Sequence, residues 1–149
     1  MKVRSIEEKL SEEWGLRNAD TILEKIIEKE TLSKKEGIGL KELLDDEKMV
    51  VCSFALGKIL ASYEIGLKTA QLRRFYEAML AIRGKKSASL MILKPQLAYA
   101  KARASRELTP FFVVVNPLME RVHDSEDFNR LVQFIEAIVA YHKYHGGRD

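Results

Sequence analysis

Thr109-Pro110-Phe111-Phe112-Val113-Val114-Val115-Asn116-Pro117 is the stretch on which the fold class turns. Phe111–Val115 is the only strand-like run in the chain, and aromatic and β-branched side chains favour strands. The two residues before it argue the other way. Thr109-Pro110 has the order of a helix N-cap followed by proline at the first helical position, where the missing N–H is not needed. The segment therefore reads as a helix over about 110–122, with a kink expected at Pro117. With this run helical, nothing in the chain alternates for long enough to build a sheet. Three prolines and eight glycines also leave little room for a sandwich or barrel that turns every ten residues.

Helical periodicity extends outward on both sides. Downstream, Phe128, Leu131, Val132, Ile135, Ile138 and Val139 form the stripe of a helix over about 126–145, stopped by Gly146-Gly147. Upstream, a helix over about 88–105 aligns Leu90, Leu93, Leu97, Ala100 and Ala104, with Pro95 as a kink or true start. The helix over about 70–83 turns Leu72, Phe75, Tyr76, Met79 and Ile82 inward and Arg73, Arg74 and Glu77 outward, with Thr69 as candidate N-cap. A helix over about 46–63 is apolar almost all round and follows Asp45-Asp46-Glu47, acidic residues that suit a helix start. Residues 5–14 open with Ser5 and Glu8 at capping-box spacing. Residues 20–31 read as one amphipathic helix, and 32–40, with Gly37 and Gly39, as a flexible connection. The expectation is an all-α, compact helical bundle of about five to seven helices in a single domain over 1–149, with homodimerisation open.

At 149 residues the chain fits one domain. Cys52 is the sole cysteine and lies in an apolar run, which reads as a core thiol in a reducing, cytoplasmic setting. Charges interrupt the N-terminus where a signal peptide would be apolar. No apolar run approaches the roughly 20 residues of a membrane span, so no membrane partner is expected.

The formal net charge of +3 conceals a partition. Residues 1–67 carry 11 basic and 14 acidic side chains, and residues 107–149 carry 4 and 7. Residues 68–106 carry 10 basic side chains against Glu77 alone. The basic members are Lys68, Arg73, Arg74, Arg83, Lys85, Lys86, Lys94, Lys101, Arg103 and Arg106. Solvated helix faces usually interleave Glu with Lys, as 20–31 does here. A block without acidic counterweight points to a polyanionic partner, with arginine forks and lysine point charges meeting phosphate. Tyr99, beside Arg103 and Arg106 in helical phase, is a candidate for stacking on a base or ribose.

Other constellations carry less. His142 and His145 are three apart, but a zinc site needs three or four ligands, and no HExxH or cysteine partner is present. They read as cations favourable at a helix C-terminus. The consecutive acidic residues 45–47 diverge around a helix, and no P-loop, GxSxG or glycine-rich dinucleotide motif occurs. Neither catalytic residue, cofactor nor metal is expected. The competing readings are a protein–protein adaptor that sets the basic block against an acidic partner, and a metal-dependent nuclease using Asp45 or Asp46.

Three segments carry a resemblance. They are Thr69-Ala70-Gln71-Leu72-Arg73-Arg74-Phe75-Tyr76, then Leu93-Lys94-Pro95-Gln96-Leu97-Ala98-Tyr99-Ala100-Lys101-Ala102-Arg103, then Phe134 through Gly147 with its Tyr141-His142-Lys143-Tyr144-His145 core. In this order they resemble the small subunit of the type III-A CRISPR effector, the Csm complex, over about residues 46–147. Residues 1–40 show no matching motif and read as variable N-terminal helices. The resemblance implies an α-helical subunit without catalytic activity of its own, serving antiviral defence. It implies stacked copies along the effector filament, contact with guide RNA and target RNA, and other Csm subunits as neighbours that carry the cleavage chemistry. The family motif singles out Arg73, Arg74, Lys94, Lys101 and Arg103 for RNA contact.

Overall fold

The computed structural model describes residues 4–62, 64–82, 95, 98, 102 and 106–148. Among these residues there are eight α-helices and no strand: α1 (Ile6–Glu13), α2 (Ala19–Ile26), α3 (Glu28–Ser33), α4 (Leu40–Leu43), α5 (Asp46–Ala61), α6 (Thr69–Ile82), α7 (Thr109–Met119) and α8 (Ser125–Tyr144). The stretch Phe111–Val115 is helical, as its Thr-Pro prefix indicates. The expected N-cap is displaced by one residue. A 3-10 turn, Arg106–Leu108, runs directly into α7, and Leu108, already right-handed at φ −84°, takes the cap position. Leu108 is buried, so the turn is held by the core and Thr109 becomes the first helical residue. Pro117 lies inside α7, which ends two residues later, earlier than expected.

The centre of the fold is the pair α5 and α8. Every residue from Val51 to Gly57 is buried, which is why α5 shows no polar face in the sequence. Asp45 caps it, accepting from the Lys48 N–H at 2.9 Å. Along α8, Leu131, Val132, Phe134, Ile135 and Ile138 are fully buried. Each such side chain contributes roughly 1.5–3 kcal/mol relative to exposure. The two helices pack tightly at Gly57, where a Cβ would stand 2.8 Å from the His142 backbone nitrogen and from the Tyr141 Cβ. Around this pair, α7 packs on α2 and α5, α6 on α8, α1 on α5 and α4 on α8. Phe75 of α6 stacks edge-on against Phe111 at 5.1 Å and Phe112 at 6.1 Å, tying α6 to the first turn of α7. Cys52 is buried, and burial pushes its thiol up to about 12.

The N-terminal third departs from its expected shape. Ser5 does accept from the Glu8 N–H at 3.1 Å. The single helix expected over 20–31, however, breaks at Ile27 into α2 and α3. Beyond the break, Glu28 pairs with Lys48 of α5 at 3.2 Å and Glu30 meets Arg121 in a two-pronged contact of 2.6 and 2.9 Å. The guanidinium of Arg121 holds the Glu30 carboxyl below its ordinary range. These partners lie far along the chain and are invisible to local periodicity. Residues 32–40 are also more tied than expected. Ile38 and Leu40 are buried, the Leu40 N–H donates to the Arg121 carbonyl at 2.9 Å, and buried Asp127 accepts from Lys41 N–H at 2.8 Å and His123 N–H at 2.9 Å.

Candidate nucleic-acid interface

Helix α6 carries the described part of the basic block. Leu72 and Met79 face the core, Phe75 and Tyr76 are half-buried, and Arg73, Arg74 and Glu77 are exposed. The Tyr76 hydroxyl donates to Glu136 of α8 at 2.9 Å, pinning the inner face further along. Lys68, just before the helix, and Arg106, in the 3-10 turn leading into α7, are exposed as well. The Phe75 contacts make α6 and the start of α7 neighbours. Arg83, Lys85, Lys86, Lys94, Tyr99, Lys101 and Arg103 lie outside the described residues, as does nearly all of the helix expected over 88–105.

Several basic residues elsewhere on the surface are engaged in ion pairs. Arg4, Lys25, Lys29, Lys41, Lys48, Arg121 and Arg130 each meet a carboxylate. Among the described residues no carboxylate pairs with Lys68, Arg73, Arg74 or Arg106. An unpaired, exposed guanidinium keeps all its donors available for an anion.

The root of α6 is fixed by a device that local sequence reasoning did not find. Thr69 does not cap the helix; it is its first residue, and its hydroxyl is buried against His142, with Oγ1 2.9 Å from Nδ1. The other ring nitrogen, Nε2, lies 2.6 Å from the Leu67 carbonyl. A carbonyl only accepts, so Nε2 carries the proton. Burial lowers the His142 pKa, with Lys143 adding to the effect and the Leu67 bond opposing it. The ring is thus neutral, and Nδ1 accepts from the Thr69 hydroxyl. His142 is a wedge between two helices and no surface cation. Burial also lowers the pKa of His145, helped by nearby Lys58. The expectation that both histidines act as charges at the helix end is therefore corrected.

Past His145 the chain reverses through Gly146 at φ +89°, a conformation suited to glycine. Gly147 then lies flat against the His142 ring, with no room for a Cβ. The Arg148 carbonyl accepts from the Thr69 N–H at 2.6 Å, satisfying one of the amides left free at a helix start. The glycine pair was legible as a stop; that its second member packs on an imidazole was not.

No group of three or more His, Cys, Asp or Glu able to hold a metal occurs among the described residues. No helix among them is long and apolar enough to cross a membrane.

Fold and surface together define a small all-α protein that presents exposed cations, unpaired among the described residues, on one helix. Residues 44–148 match the family model described as Csm2 Type III-A, and the chain belongs to that family. It is a small subunit of the type III-A CRISPR Csm complex. Comparison with curated proteins and with solved structures gave no match.

Proposed function

We propose that the chain is a non-catalytic, RNA-binding structural subunit of this complex, acting in the cytoplasm in antiviral defence. Its basic block contacts the phosphates and riboses of guide RNA and target RNA without reading bases. Base pairing by the guide carries specificity, as in other RNA-guided systems. Copies of the chain associate with one another along the effector, and the acidic flanks meet neighbouring subunits.

One observation carries the reading: Arg73 and Arg74 are exposed and unpaired among the described residues, on a helix whose inner face is packed and whose root is locked. The test is a salt titration of single-stranded RNA binding. Replacing both arginines by alanine is expected to lower the slope of log affinity against log salt by about 1.4, from about 0.7 per phosphate. The circular dichroism spectrum should not change. Equal affinity and equal slope in the variant would refute this role for α6.

A further inference from the structure

The linear charge partition assigns Arg148 to the acidic C-terminal flank, 42 positions beyond Arg106. The fold moves it. The turn at Gly146, the packing of Gly147 on His142 and the 2.6 Å hydrogen bond from Thr69 N–H to the Arg148 carbonyl set the Arg148 backbone beside Lys68 and Thr69 at the foot of α6. The Arg148 side chain is exposed, and no carboxylate among the described residues pairs with it. It shares both properties with Lys68, Arg73 and Arg74.

We propose that Arg148 is a further phosphate-contacting residue, extending the cationic surface of α6 beyond the basic block by way of the folded-back Gly-Gly tail. The inference rests on the RNA-binding reading of that surface and deepens it. Two physical points favour it. A guanidinium presents a planar fork that matches phosphate oxygens. The tail is also held at three successive residues, Gly146, Gly147 and Arg148, so the side chain starts from a fixed backbone and gives up less freedom on binding than one on a free end would. The contact needs only the side chain, whereas the lock at α6 uses only the Arg148 carbonyl. Substitution therefore separates the two.

The experiment compares the full chain with Arg148→Ala, Arg148→Lys and Arg17→Ala, the last removing an exposed cation from the α1–α2 connection. The probe is a labelled oligouridylate, titrated at several salt concentrations. Arg148→Ala is expected to weaken binding about three- to tenfold and to reduce the salt slope by about 0.7, with the melting temperature unchanged. Arg148→Lys should recover most of the slope, and Arg17→Ala should change neither quantity. Equal losses for Arg148→Ala and Arg17→Ala would reduce the effect to net charge and overturn the inference. An unchanged Arg148→Ala beside a weakened Arg73→Ala/Arg74→Ala variant would overturn it while leaving the RNA reading intact. If the Arg73/Arg74 variant also binds normally, both fail.

Discussion

His142 Nδ1 lies 2.9 Å from Thr69 Oγ1, joining the C-terminal turn of α8 to the first residue of α6 across 73 positions of sequence. The imidazole is fully buried and is held neutral by that burial. Its folded pKa sits below the ordinary value of about 6.5. As pH falls through that value, the unfolded chain takes up the proton first. The stabilisation is thus complete above about pH 6.5 and is lost progressively on acidification toward the folded pKa. His145, also lowered, acts in the same direction. Thermal melts at about pH 7.5 and pH 5 should show a lower melting temperature at the acidic end. His142→Gln should shrink that difference; a variant as acid-sensitive as the parent would remove His142 from the account.

Gly57 of α5 packs directly on the backbone of α8. A methyl group there meets the His142 nitrogen and the Tyr141 Cβ at 2.8 Å, and neither is the movable end of a side chain. Gly57→Ala is expected to destabilise by about 1–3 kcal/mol, the range for overpacking. For a chain of this size that lowers the melting temperature by roughly 3–9 °C. Helix propensity alone would favour the substitution by up to about 1 kcal/mol, so the sign of the measured change separates the two effects.

Arg121 holds α3 through Glu30 and also donates to the Pro117 carbonyl at 2.6 Å. Both side chains are mostly buried, at 21% and 22% exposed. Arg121→Ala should cost about 1–3 kcal/mol. Arg121→Lys should recover only part of it, because an ammonium does not reproduce the two-pronged contact. Urea denaturation of the two variants checks both statements.

Cys52 is expected to resist alkylation in the folded protein. Its thiol is buried and raised to about 12, so little thiolate exists at neutral pH and none of it is accessible. Labelling at pH 8 should be slow in buffer and rapid in denaturant. Fast native labelling would contradict the packing of α5.

What the sequence disclosed and what it hid follow from the range of the forces involved. The strand-like Phe111–Val115 was readable as helix because Thr109-Pro110, a local signal, precedes it. The burial of α5 was readable because no polar face interrupts residues 51–57. Arg73 and Arg74 stood out because helical phase sets them opposite Leu72 and Met79. The break at Ile27 was hidden because Glu28 and Glu30 find Lys48 and Arg121 only in the folded chain. Thr69 resembled a cap because its true partner, His142, lies at the other end of the matched region. Arg148 was counted with the acidic flank because charge was summed along the chain, whereas the Gly146–Gly147 reversal returns it to the basic helix.

Inside the assembled complex the basic helix surface is expected to face RNA. Ultraviolet crosslinking of the reconstituted complex, followed by peptide mapping on this subunit, tests it most directly. The account predicts RNA-linked peptides from residues 68–106. Crosslinks confined to residues 1–67 or to the acidic part of the C-terminal flank, with 68–106 instead linked to an acidic protein neighbour, would contradict it.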